Sequence, residues 1–279
     1  MFGPLVGQQQ SAFIAQADSL IQLSRQHYKD SSIARPNLEQ AAKLSFPYHE
    51  EEKQWLSAVT NLAYHFQYEG ELDTLIFHID SCLNHISPEH IDAGNVEVYG
   101  ALIVYYVYAL EQTADYQTLF EAVNDAVLIL RQRYIAPSLI NYIIYPQLYD
   151  FQARAAYRLG DELLAVNLAD SVIWYHRQQA TSADSASIKS HHLAIARIFR
   201  TKQTSLAKLG RYQEVLRQSK EIIALSIQDS ALVGSILNNL GFAQLQIGRA
   251  DSSRFYAEQA LSIYQKLLSR PKADSNRLL

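Results

Sequence analysis

The stretch Leu237–Leu261, LNNLGFAQLQIGRADSSRFYAEQAL, carries two glycines seven residues apart, Gly241 and Gly248, followed by Ala257 and Ala260. Gly248 sits in the tripeptide Ile247-Gly248-Arg249, where one helical pattern stops and another begins at once. A residue that tolerates a left-handed backbone ends a helix there and starts a tight helical hairpin. Four more turns of this kind occur, at Tyr68-Glu69-Gly70-Glu71, Thr113-Ala114-Asp115, Leu159-Gly160-Asp161 and Leu209-Gly210-Arg211. Their centres, 70, 114, 160, 210 and 248, are spaced by 44, 46, 50 and 38 residues. An earlier helix pair, roughly Ser11–Tyr28 and Asn37–Phe46, brings the count to about six hairpins, or about twelve helices. A unit of that length does not bury its apolar face alone, so hairpins stack and each contacts mainly its neighbours.

The rest of the composition agrees with a helical repeat. Ala, Leu, Gln, Glu and Arg, all good helix formers, dominate long stretches free of Gly and Pro. Apolar spacing of three and four recurs, as at Leu164, Leu168, Val172 and Tyr175, whereas strand-type alternation closed by Asn-Gly or Asp-Gly does not occur. With 48% hydrophobic and 19% charged residues among 279, the chain has the makings of a real core. A net charge of −4 gives no concentrated positive field for nucleic acid or an anionic membrane. The single cysteine, Cys82, excludes an internal disulfide and a cysteine-based zinc cluster, and reads as a small buried hydrophobe. The longest apolar run, ALIVYYVYAL at Ala101–Leu110, is too short to span a bilayer. The start, MFGPLVGQQQSA, has two readings: a frayed segment over residues 1–10 of a cytoplasmic protein, or the tail of a truncated signal peptide, which would place the protein in the periplasm.

Asn239-Leu240-Gly241, Gly248 and Ala260-Leu261 together resemble the tetratricopeptide repeat (TPR). The resemblance implies that Gly241 and Ala260 lie where the two helices of a hairpin cross closely and a larger side chain would push them apart. It recurs at Asn61-Leu62-Ala63 with Gly70, and at Ala153, Gly160 and Ala165. In the unit turning at Gly210 it weakens, because Gln203 and Val215 stand where small residues are expected. The spacings exceed the family's repeat of about 34 residues, which implies lengthened helices or loops. The implied fold is an all-α, right-handed α-solenoid of about six antiparallel hairpins over residues 11–268, followed by a tail at 269–279. Phrases such as Ala17-Asp18-Ser19-Leu20 and Ala250-Asp251-Ser252-Ser253 are similar to repeats ahead of the output modules of bacterial sensor kinases and transcription regulators.

Two places break the rhythm. Gln179–Lys189 (QATSADSASIK) reads as a loop between hairpins, with Asp184 or Ser182 capping the next helix. Arg133–Pro146 holds Pro137 and Pro146, which belong at a helix start or kink. Nothing points to catalysis, a cofactor or a metal. His191-His192 are adjacent, turn to different helix faces and read as exposed or capping residues. Glu50-Glu51-Glu52 reads as the acidic first turn of a helix. No glycine-rich loop precedes a helix as phosphate binding requires.

A stacked-hairpin solenoid presents a concave surface lined by the first helix of each pair. Using each turn as register, this surface receives Tyr64, Tyr68 and Tyr108 early, then Arg154, Tyr157, Arg158, Arg197, Arg200, Thr204 and Lys208, and finally Asn238 and Phe242. Such a lining suits a protein or extended peptide with aromatic or apolar side chains and carboxylates, which arginine grips in a bidentate fork. The same arginine stripe also reads as an ordinary solvated helix face. A second setting, self-association of two copies through the groove or an end face, stays open beside it. A slip of one residue would turn every listed side chain by about 100°.

Overall fold

The computed structural model describes residues 3–48, 53–92, 94–132, 144–181, 183–225 and 227–269. Twelve α-helices account for nearly all of them, and no strand occurs among the described residues. They are α1 (Gly3–Gln26), α2 (Ser31–Ser45), α3 (Lys53–Glu69), α4 (Leu72–Leu83), α5 (Val96–Gln112), α6 (Tyr116–Gln132), α7 (Tyr145–Leu159), α8 (Glu162–Ala180), α9 (Ser185–Lys208), α10 (Tyr212–Ile223), α11 (Ser230–Gln246) and α12 (Ala250–Leu268). Packing divides the chain into two units, Met1–Phe151 and Gln152–Leu279. In both, the substantial contacts among described residues join helices one or two apart in sequence, such as α2 with α3, α3 with α5, α8 with α9 and α9 with α11. Such nearest-neighbour packing is what hairpins that cannot close a core alone produce.

All five expected turns form, and by one device. Gly70, Gly160, Gly210 and Gly248 have φ of +77°, +87°, +72° and +80°, and Ala114 has +61°. After each, the next amide donates to the carbonyl five residues back, as in Glu71 to Phe66, Asp115 to Leu110, Asp161 to Ala156, Arg211 to Leu206 and Arg249 to Gln244, all at 2.9 Å. The turn residue's own amide donates three residues back, completing a Schellman cap that satisfies the last carbonyls of the helix. Asp115 and Asp161 then cap the following helices, accepting from the amides of Thr118 and Leu164 at 3.2 and 3.0 Å.

The shared cap imposes a shared register. In α3, α5, α7, α9 and α11, the residues four, five, seven and eight places before the turn are buried, while those two, three and six places before it stay accessible. Beyond the turn, the twelfth place holds Cys82, Ala126, Val172, Ile222 and Ala260, all buried. In the second unit these rows meet in a core of Val166, Leu206, Val215, Leu216, Leu240 and Ala243.

Gly241 lies seven places before its turn, where a Cβ would stand 3.1 Å from the carbonyl oxygen of Ser253 and 3.5 Å from the amide nitrogen of Ala257. The close crossing inferred from the repeat resemblance is therefore present, and Ala260 is 2% exposed beneath it. Gly234, one heptad earlier, makes a second close approach that the sequence reading passed over: its Cβ would meet the Tyr264 ring at 3.0 Å.

Gln203, the poor match at the same register, is fully buried because its amide is satisfied on both sides. Its nitrogen donates to Ser219 Oγ at 2.9 Å and to the Ile236 carbonyl at 3.1 Å, and its oxygen accepts from Asn239 at 3.0 Å. A polar junction of three helices thus replaces the usual small-residue crossing.

Several boundaries differ from the reading of the sequence. α1 begins at Gly3 rather than Ser11, and α2 begins at Ser31 rather than Asn37. Asp30 caps α2 by accepting from the Ser32 amide at 3.2 Å, and the helix carries Pro36 inside it. The supposed loop 179–189 is helical at both ends, since α8 runs to Ala180 and Asp184 caps α9 by accepting from the Ser187 amide at 2.7 Å. On α8 the buried stripe is Ala165, Val166, Ala169, Val172 and Ile173, whereas Leu164, Leu168 and Tyr175 are half-buried at its edge. Alanines take the close crossing and the longer side chains flank it. Pro146 is the second residue of α7, where a missing amide costs little. Glu50, Glu51, Glu52, Pro137 and Ser182 lie outside the described residues.

Candidate functional site

The accessible places two, three and six before each turn define a face on every first helix, so its lining follows from the caps. In the first unit it is aromatic. Tyr64, six before Gly70, is half-buried and stacks on exposed Tyr68 with ring centroids 6.2 Å apart. It also meets Tyr105 edge-on at 6.4 Å. Burial, reinforced by Tyr64, raises the Tyr105 phenol above the usual tyrosine range. Tyr108, six before Ala114, is half-buried on α5. Tyr105 was absent from the sequence-derived set; its signal was the same register, nine places before the turn.

In the second unit the face is cationic. Arg154 is half-buried, Arg158 is exposed with its guanidinium 5.9 Å from the Tyr157 ring centroid, and the Lys208 ammonium lies 4.2 Å from the same centroid. Tyr157 thereby joins α7 to α9. Lys208 also donates to Glu162 at 3.0 Å, an interaction that raises the lysine and lowers the carboxylate relative to their ordinary ranges. Arg197 and Arg200, thirteen and ten places before Gly210, are exposed and have no ion-pair partner among the described residues. Thr204 shares their face but donates to the Arg200 carbonyl of its own helix at 2.9 Å. On α11, Asn238 is exposed, and Phe242 is exposed and rests edge-on against Tyr212 at 6.4 Å. Of the expected residues, Tyr64 and Tyr68 come together in one unit, and Tyr157, Arg158 and Lys208 in the other.

Beneath the face runs a set of polar clasps. Tyr106 and Lys202 occupy the same place, eight before their turns, and each donates to an aspartate ten places beyond the preceding glycine turn, Asp80 and Asp170 respectively. Lys202 is 4% exposed, and this pairing is what makes a buried ammonium tolerable. Around it lies a cavity of about 190 Å³ lined by Asp170, Arg177, Lys202, Arg217 and Glu221 among others. Its charges satisfy one another, with Arg177 and Arg217 each 3.4 Å from Glu221.

His191 and His192 are half-buried rather than exposed, and His191 Nδ1 lies 3.1 Å from Nδ1 of His176 on α8. Burial, with His191 beside it, lowers the His176 imidazole to about 4. Cys82 matches its reading: it is buried, and burial pushes its thiol up to about 12. Among the described residues, no three His, Cys, Asp or Glu side chains converge as metal ligands. No helix among them is long and apolar enough to cross a membrane.

No family model and no curated protein matches this sequence. Solved structures do. BtubC (BKLC) from P. vanneervenii aligns with a TM-score of 0.61 at 10% identity, over 96% of this chain and 98% of that one. This chain has a TPR-like fold. A putative kinesin light chain from Podosopora anserina, with nearly identical TPR-like repeats, aligns with a TM-score of 0.56 at 16% identity over 79% of this chain and 100% of that one. MamA aligns with a TM-score of 0.51 at 12% identity over 75% and 98%. At these identities the likeness concerns the fold alone. It accounts for the five TPR-like turns and for the buried rows set by them. The lining of the accessible face is this chain's own.

Proposed function

We propose that the chain is a non-enzymatic scaffold that binds a protein or an extended peptide on the accessible face of its TPR-like first helices. The observation that carries this reading is the pair Arg197 and Arg200. Both stand exposed without an ion-pair partner among the described residues, on the same α9 face as Thr204. Four other arginines, Arg35, Arg177, Arg211 and Arg217, are each paired with a glutamate. Two exposed guanidiniums on the helix that also carries Lys208 suit a ligand that brings its own carboxylate and an apolar or aromatic side chain. The Tyr64–Tyr68–Tyr105 cluster offers the first unit's own uncharged contact surface. The setting we favour is the docking part of a bacterial signalling or regulatory protein, as the repeat phrases suggest.

The test replaces Arg197 and Arg200 together by Glu and measures binding to an arrayed library of acidic, aromatic-containing peptides by fluorescence anisotropy. Both side chains are exposed, so the fold is expected to persist by circular dichroism. The expected result is at least a tenfold loss of affinity with a flattened salt dependence. Unchanged affinity and salt dependence would remove the basic half of the reading, and Tyr64→Ser with Tyr68→Ser then asks the same question of the aromatic half.

A further inference from the structure

One side of α12 is left uncovered among the described residues. Nine places beyond the turns, Ile79, Val123, Ala169 and Ser219 are each fully buried, and the helices that follow α4, α8 and α10 pack on them. The equivalent Ala257 on α12 is exposed. Thirteen places beyond, Val127 and Ile173 are buried at 8% and 6%, whereas Leu261 is 55% exposed. The uncovered side carries Ala250, Arg254, Ala257, Leu261, Tyr264 and Leu268 at spacings of four, three, four, three and four, a single helical stripe. Its residues are exposed except Tyr264, which is half-exposed above Gly234. Leu268, 86% exposed, is the most exposed large hydrophobic side chain of the described residues.

What would cover it follows from the order of side chains along the stripe. Antiparallel pairing about a two-fold axis at Gln259 sets Ala257 against Leu261 of the second copy, Ala250 against Leu268, and the Arg254 guanidinium against the Tyr264 ring. Every contact is small against large or cation against aromatic, and each occurs twice, which is the self-complementarity an isologous interface requires. A parallel arrangement in register would instead set alanine on alanine and arginine on arginine. We propose that α12 pairs antiparallel with α12 of a second copy, through the stripe Ala250–Leu268, to form a homodimer. The contact is one helix long, about 28 Å for 19 residues. Its area lies at the low end for specific interfaces, so the dimer dissociates on dilution. The pairing uses none of the residues assigned to peptide binding, and the two readings stand or fall separately.

Light scattering on a size-exclusion column, across about two decades of concentration, is the test. The expected result is a mass rising towards twice that of the monomer and no further. Leu261→Glu, at an exposed site, is expected to abolish the rise, while Phe255→Ser, on another side of α12, leaves it intact. Mixing Ala257→Cys and Leu261→Cys proteins and oxidising is expected to give the mixed dimer in excess of either like dimer; native Cys82 is buried and silent. A monomer at every concentration overturns the proposal, as does a dimer that Leu261→Glu leaves unchanged. A mass growing beyond two copies assigns the face to head-to-tail stacking and overturns it. A dimer that appears only on deletion of residues 270–279 assigns the face to the chain's own C-terminal residues, with the same consequence.

Discussion

Ala114→Gly is expected to stabilise the first unit. Ala114 stands at φ +61° in the position that glycine fills at the other four turns, with φ between +72° and +87°. A side chain in the left-handed region costs about 1–2 kcal/mol. Glycine gives back about 0.5–1 kcal/mol of that through the greater freedom of its unfolded chain. The exposed methyl of Ala114 contributes little burial, so the net gain is about 0.5–1 kcal/mol. The reverse change at Gly210 is expected to cost a similar amount, because a Cβ there meets nothing within 4 Å and the penalty is purely conformational. Gly241→Ala is expected to cost more, about 1–3 kcal/mol, since its Cβ would press on the Ser253 carbonyl and force α11 from α12. Urea unfolding reads these differences. Circular dichroism follows the helices of both units, and buried Trp55, 5% exposed against 57% for Trp174 of the second unit, adds a fluorescence probe of the first. If Ala114→Gly destabilises, or Gly210→Ala is free while Gly241→Ala costs nothing extra, the shared-cap account of the hairpins is wrong.

Three further outcomes follow from the polar interior. Gln203→Leu is expected to cost about 2–3 kcal/mol in urea unfolding, because it strands the Asn239 amide, the Ile236 carbonyl and Ser219 at a buried junction. Asp170→Ala is expected to destabilise more than Lys202→Met, since the first leaves a buried ammonium unpaired while the second removes the charge that needed pairing; equal effects would show that the clasp is not what holds Lys202 inside. Acid sensitivity follows from His176. Its folded imidazole is lowered to about 4 from 6.5, so between those values the unfolded chain binds a proton that the folded chain refuses. Stability is therefore expected to fall as pH drops from 6.5 towards 4 and to level off below, and His176→Gln is expected to flatten that part of the urea-midpoint profile.

Much of this was legible in the sequence because turns are local. Gly70, Gly160, Gly210 and Gly248, and even Ala114, mark the hairpins by the backbone conformation they permit, and a cap fixes the phase of the helix before it. The accessible residues Tyr64, Arg154 and Phe242 could then be placed by counting. What could not be read depended on partners far along the chain. Gln203 looked like a flaw in the repeat because its justification lies on Ser219, Ile236 and Asn239. His191 looked exposed because His176 is fifteen residues away. The second helix was read from Asn37, although Asp30 caps its start. On α8, Leu164 and Leu168 outranked Ala165 and Ala169 in hydrophobicity, yet the tightest crossing goes to the smallest side chains.

The central claim is that one turn-anchored register sets which residues of the first helices α3, α5, α7, α9 and α11 are buried and which stay accessible. Thiol labelling of single-cysteine substitutions tests it directly, since native Cys82 is buried with its thiol pushed up to about 12 and contributes no background. Cysteines at 64, 108, 154, 204 and 242, six places before each turn, are expected to react in the native state, while those at 63, 107 and 153, one place earlier, are expected to react only after unfolding. Equal reactivity in the two sets, or an inverted order in any hairpin, would contradict the account.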